Sequence, residues 1–239
     1  DYIMEKIGPE AEGKKPITKA TAHWKGLNSS SILEPYVRLY NITGEKKYLD
    51  FAEYIISEGG CEDGNIFEMA YRDEIAPYEY PVTKAYEMMS CFEGLAEYYR
   101  VTREEKWRTA VLHFAHRIVT VEKSIIGCCG CFEELYDGGA LRQTATTHFW
   151  IMQETCVTVT WMKFALQALR LSGDAVYADC IEESYFNAYL GALNTGHIQS
   201  VARVQADAKD PGKNGNLPAP EVLTFDSYSP LLAGERGQM

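Results

Sequence analysis

Three segments decide the fold: "LYNITGEKKYLDFA" (residues 39–52), "YYRVTREEKWRTAV" (98–111) and "LRLSGDAVYADCI" (169–181). Each runs from an apolar helix end into Thr or Ser, a helix-stop position, an acid, two spacers and an aromatic. The stop position is Gly44, then Arg103, then Gly173. Glycine suits the left-handed residue that closes many helices; Arg103 breaks that pattern. The period is roughly 60 to 70 residues, longer than the roughly 20 to 50 of familiar solenoid repeats. A long period with two helices per unit predicts a closed toroid of helical hairpins. Ordinary helix start and stop chemistry in three unrelated hairpins would produce part of the same pattern.

The first hairpin begins at Ser30. Ile32, Leu33, Tyr36, Val37 and Tyr40 recur at helical spacing, and Tyr48, Phe51, Ala52 and Ile55 start its second helix. In the last hairpin, residues 157–171 are apolar on nearly every face, including Val157, Trp161, Phe164 and Leu169, as in a buried helix. From Ala175 to Leu193 the apolar residues narrow to a stripe of Tyr177, Ile181, Tyr185, Ala188 and Tyr189, as in a helix packed on one side. An inner helix paired with an outer one is the layering of an α/α barrel. The first twenty residues, with "GPEAEGKKP", read as an irregular entry. "DAKDPGKNGNLPAPE" (207–221) reads as a loop, and "VLTFDSYSPLL" (222–232) as a short strand and turn. The predicted class is therefore all-α, with helical hairpins over residues 1–200 and a loop and short strand over residues 201–239.

The chain has 239 residues, 46% hydrophobic, with a net charge of -11. An acidic balance argues against nucleic-acid binding, which usually shows as a basic patch. The apolar runs are broken by charged or amide side chains, too short to span a bilayer. No signal peptide is visible, and a start at Asp1 with a loop-like stop at Met239 suggests a fragment. Seven cysteines, several within apolar helical patterns, suit a reducing, cytoplasmic setting better than a disulfide framework.

"IMQETCVTVTW" (151–161) holds the main candidate for chemistry. Residues i and i+2 diverge within a helix, whereas in extended backbone they point the same way. Glu154 and Cys156 can meet one ligand only if the helix starts at about Thr155, a plausible N-cap. Cys156 then lies in the first turn, where the helix dipole favours a thiolate. A neighbouring carboxylate repels that thiolate unless a cation lies between them, and zinc accepts both ligand types. Half of a metal site is one reading; an acid at a helix start beside a small buried cysteine is the other.

The segment "MQETCVTVTWMKFALQALRLSGD" (152–174) resembles the glutamate–threonine–cysteine segment of glycoside hydrolase family 127 and its relatives, the β-L-arabinofuranosidase group. "KAYEMMSCFEGLAEYYRVT" (84–102) and "SSILEPYVRLYNITGEKKYLDFA" (30–52) resemble the preceding hairpins of that family. The similarity covers roughly residues 25 to 200. It implies an (α/α)6 barrel followed by β-rich domains. It also implies zinc held by Glu154, Cys156 and an adjacent cysteine pair well downstream, one of which is the nucleophile of a retaining mechanism. Zinc would keep that thiolate ionised, and a glutamic acid would serve as acid/base. A cysteine nucleophile replaces the carboxylate of most retaining glycosidases. The implied partner is an oligosaccharide or glycan with a furanosyl linkage.

The chain departs from the family pattern. No cysteine follows Cys180, which would place the pair beyond Met239 and leave this piece inactive alone. "GGALRQTATTHFW" (138–150) holds no carboxylate, so the acid/base candidates are Glu133, Glu134 and Asp137, with Glu134 preferred over a reading of all three as loop acids. Lys84 stands where the family often has a sugar-binding histidine, and another such position falls near Ser29. These changes suggest a different sugar or linkage, with His148 as a substitute substrate contact. "GCCGC" (127–131) offers thiols for zinc, alone or in company with Cys156, but lacks the usual knuckle spacing and reads better as loop packing near the barrel mouth. His113 and His116 share a spacing that metal ligands use and that an amphipathic outer helix explains better. Two alternatives stand. One is a metal-free α/α-toroid carbohydrate enzyme of the unsaturated glucuronyl hydrolase type. The other is a non-catalytic helical scaffold, which would tolerate loss of both Glu154 and Cys156.

Overall fold

A computed structural model of the chain describes residues 1–130, 134–142 and 154–191. Seven helices carry the fold: α1 (Leu33–Thr43), α2 (Lys46–Ser57), α3 (Ile66–Arg72), α4 (Ala85–Thr102), α5 (Glu105–Arg117), α6 (Thr155–Ser172) and α7 (Val176–Glu183). The pairs α1–α2, α4–α5 and α6–α7 are the three predicted hairpins. Their turns are built alike. Gly44, Arg103 and Gly173 are all left-handed, with φ of 70°, 62° and 72°. The hydroxyls of Thr43, Thr102 and Ser172 donate to the carbonyls of Leu39, Tyr98 and Ala168. Each hydroxyl then accepts from the amide two residues on, at Glu45, Glu104 and Asp174. Arg103 thus takes the glycine conformation despite its side chain, and the repeat holds at all three turns.

The helices form two layers. α1, α4 and α6 lie side by side, while α2, α5 and α7 each back onto their own hairpin partner; α3 packs on α5. This is a mostly helical part of an (α/α)6-type barrel. The core is aromatic. Phe92 of α4 stacks on Phe114 of α5 at 3.8 Å, with Phe67 of α3 and Phe164 of α6 around it, all buried. Gly94 lets α1 and α4 touch, since a Cβ there would sit 2.7 Å from the Glu34 nitrogen and from Leu33 Cβ.

Several local expectations change. Before α1 the chain makes a separate short helix, Leu27–Ser30, so helical structure begins earlier than Ser30 and breaks at Ser31–Ile32. Tyr2–Lys6 is also a helical turn within the entry read as irregular. An antiparallel two-strand hairpin, β1 (Gly60–Cys61) and β2 (Gly64–Asn65), interrupts the all-helical pattern. α7 gives way at Ser184–Tyr189 to a wider π-helical turn. Widening rotates the face, so Tyr185 leaves the predicted stripe and is exposed, whereas Tyr177 and Ala188 stay buried. No described helix is long and apolar enough to cross a membrane. Cys61, Cys91, Cys128, Cys129, Cys156 and Cys180 are free thiols. Cys131, Glu133 and His148, and the loop and strand predicted after residue 200, lie outside the described residues.

Gly94→Ala tests the close helix crossing. Alanine favours an isolated helix by about 1 kcal/mol, but overpacking costs about 1–3 kcal/mol. Chemical denaturation is expected to show a net loss of stability; a gain would mean the α1–α4 contact is looser than described.

Candidate metal and active site

The three inner elements begin at one end of the molecule. Lys84 is the N-cap of α4, Glu154 is the N-cap of α6, and Asn28 lies in the short helix before α1. Glu154 has extended backbone (φ -70°, ψ 129°) and the helix starts at Thr155. That is the condition under which side chains 154 and 156 converge. The cap itself is Glu154, one residue before the expected Thr155, because the helical backbone already includes the threonine.

The second wall arrives from a distant segment. Lys84 pairs with Leu135 in an isolated antiparallel bridge. The Ala85 amide donates to the Glu134 carbonyl at 2.9 Å, and the Tyr136 amide to the Thr83 carbonyl at 2.8 Å. This short ladder puts Glu134 beside the start of α6. Ligand atoms of Glu134, Glu154 and Cys156 all lie within 4.8 Å of one another, a group able to hold a metal ion. Lys84, almost fully buried, forms an ion pair with Glu134 and lies 3.5 Å from Glu87. Asn28 donates to Glu87 at 2.8 Å. The Trp24 ring lies 5.6 Å from the Lys84 ammonium.

The thiol does not behave as a helix start alone predicts. Burial, then the hydrogen bond and charge of Glu154, push the Cys156 thiol up to about 12, with Lys84 acting the other way. The dipole of α6 is outweighed, so without a further cation Cys156 is protonated at neutral pH. Glu154 Oε2 is buried without a hydrogen-bond partner. A buried, unsatisfied carboxylate oxygen is costly, and a cation held between it and the thiol would meet both deficits. The donor set therefore fits zinc, which takes carboxylate and thiolate ligands.

The other candidates are placed as follows. Glu134 and Lys84 join the cluster. Asp137 lies three residues beyond Glu134. Ser29 is tied into the 17–29 turn by donating to Ile17 at 2.7 Å. Cys128 and Cys129 are buried and stand outside the metal-capable group. Burial raises the Cys128 thiol, while Thr158 and Ser124 bond its side chain. His113 bonds the Ala70 and Tyr71 carbonyls, joining α5 to α3, and His116 is exposed. Sequence reasoning missed Glu87, Asn28 and Trp24. An acid three residues after Lys84 in one helix turn was the available signal for Glu87; the others converge only in three dimensions.

Helical hairpins in two layers, with a carboxylate–thiol cluster near the starts of the inner helices, define part of an α/α-barrel architecture. The chain belongs to the β-L-arabinofuranosidase GH127 catalytic-domain family, whose model matches residues 11–201. Among solved structures it is similar to a GH127 β-arabinofuranosidase, with 21% identity over 81% of this chain and 29% of that one, at a TM-score of 0.61. It is also similar to a GH127 β-L-arabinofuranosidase from Geobacillus stearothermophilus T6, with 19% identity over 81% and 32% of the two chains, at a TM-score of 0.57. A protein described as a glycoside hydrolase shares 22% identity over 72% and 31%, at a TM-score of 0.52. The chain spans about a third of the length of these structures. No curated protein matches significantly.

The coupling of Glu154 to the thiol is testable in metal-free protein. Glu154→Gln removes the charge that raises Cys156, so the midpoint of its alkylation by iodoacetamide against pH is expected to fall. Lys84→Met is expected to raise it. An unchanged midpoint in Glu154→Gln would show that burial alone sets the thiol.

Proposed function

We propose that this chain supplies the glutamate–thiol half of a zinc site in a retaining glycoside hydrolase that cleaves β-L-arabinofuranosyl-like linkages in a glycan. The observation that carries this proposal is the group of Glu134, Glu154 and Cys156, with Glu154 Oε2 buried and unpartnered. Glu154 and Cys156 would hold the zinc. When bound, the metal would supply positive charge that keeps thiol ligands ionised at neutral pH. The nucleophile would be one of an adjacent cysteine pair encoded past residue 239, as the family resemblance implies.

Glu134 would be the acid/base. Its place beside Glu154 and Cys156 puts a proton donor and acceptor against the same space. Lys84, which forms an ion pair with it, would orient that carboxylate and offer its remaining donors to sugar hydroxyls. His148, outside the described residues, is kept as a substrate contact. The exposed edge of Trp24 over Lys84 gives a ring on which a sugar face can rest.

Zinc titration of the chain against a chromophoric chelator tests the metal half. Glu154→Ala and Cys156→Ala are each expected to weaken binding at least about tenfold. Wild-type affinity in both variants would contradict the assignment. The catalytic half is tested on a protein that carries both this chain and the proposed cysteine pair, with an aryl β-L-arabinofuranoside. Glu134→Gln should lower kcat by about 10²–10⁴, the usual worth of a general acid–base group. Unchanged turnover would remove Glu134 from the chemistry.

A further inference from the structure

We infer that Glu122 is a positioning residue for the candidate site: its carboxylate spans the loop that delivers Lys84 and the loop that delivers Glu134, and so fixes the ladder on which those two side chains meet. The inference rests on the site proposed above and adds a residue that lies outside it. Glu122 ends the π-helical turn Ile118–Glu122 that follows outer helix α5, and it is fully buried. One carboxylate oxygen accepts from the Tyr78 amide at 3.0 Å. The other accepts from the Gly138 amide at 2.8 Å. Tyr78 lies six residues before Lys84, and Gly138 four residues after Glu134.

Between these two anchors the backbones of segments 83–85 and 134–136 are joined by the short bridge. Its bonds are Ala85 N–H to the Glu134 carbonyl and Tyr136 N–H to the Thr83 carbonyl. Two backbone bonds are weak fixation for loops that must place an ammonium against a carboxylate. Glu122 closes the far end of the same loop pair. The Tyr78 ring adds a second contact there, lying 3.3 Å from where a Cβ on Gly138 would stand, while Gly138 itself is left-handed at φ 72°. A carboxylate is an expensive way to fill a buried space. The donors it satisfies explain its presence: the Gly138 amide belongs to a buried residue, and the Tyr78 amide to a half-buried one in the turn Pro77–Glu79. An apolar side chain of similar size would fill the volume and leave both unsatisfied.

The test uses the whole chain, with zinc ion as the probe. Glu122→Gln keeps the shape but can accept on one side only, so one loop is released. Hydrogen exchange is read at the Ala85 and Tyr136 amides, which Glu122 does not touch, and zinc affinity is read by chelator competition. Exchange at both amides is expected to rise at least about tenfold above wild type, while zinc affinity, which Glu154 and Cys156 would carry, is expected to change less. Glu93→Gln serves as control, because Glu93 is equally buried but bonds Lys163 on another face of the inner layer. It should leave both readings near wild type. If Ala85 and Tyr136 keep wild-type protection in Glu122→Gln, Glu122 only fills its own loop and the inference is overturned. If the wild-type chain takes no zinc, the metal site fails, while the exchange readings still decide the role of Glu122. Should the Gln variant not fold, Glu122→Asp keeps the charge, shortens the reach and gives the same two readings.

Discussion

The change from extended to helical backbone between Glu154 and Thr155 is the constraint on which the site depends. Two side chains separated by one residue diverge in a helix and converge in a strand. The extended backbone of Glu154 keeps its carboxylate on the side of Cys156 while the thiol enters the first turn of α6. One residue of slip in that start would separate them. The cost of the arrangement is visible in its unsatisfied state. The thiol is driven up to about 12 and a carboxylate oxygen is left buried without a partner. Groups placed this way are costly unless a cation shares them.

The hairpin turns bring this start to where others can use it. Each inner helix runs from the site end to a left-handed stop, and each outer helix carries the chain back. The starts of α4 and α6 are thereby gathered on one face, where helix dipoles favour carboxylates. Lys84 then balances Glu134 and Glu87 at the start of α4. The lower part of the inner layer is cross-linked differently. Arg100 bonds Glu97 and Gln167, and Lys163 bonds Glu93, tying α4 to α6 well away from the thiol.

Much of the fold was legible because local chemistry is written in local sequence. The Thr/Ser–stop–acid–aromatic pattern encodes a hydroxyl-capped, left-handed turn, and it reports that turn even where Arg103 replaces glycine. The pairing of Glu154 with Cys156 was legible for the same reason, since it depends on one helix boundary. What was not legible depends on distant convergence. Lys84 and Glu134 are fifty residues apart in sequence and meet through a two-bond ladder. Glu87 and Asn28 meet across two helical elements. The exposure of Tyr185 follows from a π-turn, which leaves the apolar spacing unchanged while rotating the backbone beneath it.

The most direct measurement is X-ray absorption at the zinc edge of the zinc-loaded chain. A shared ion between Glu154 and Cys156 predicts a sulfur shell at about 2.3 Å together with oxygen at about 2.0–2.2 Å. That sulfur shell should be lost in Cys156→Ser. A spectrum with only oxygen and nitrogen neighbours, or one whose sulfur shell persists in Cys156→Ser, would contradict the account. Cys156 would then be a small buried residue at the start of an inner helix and nothing more.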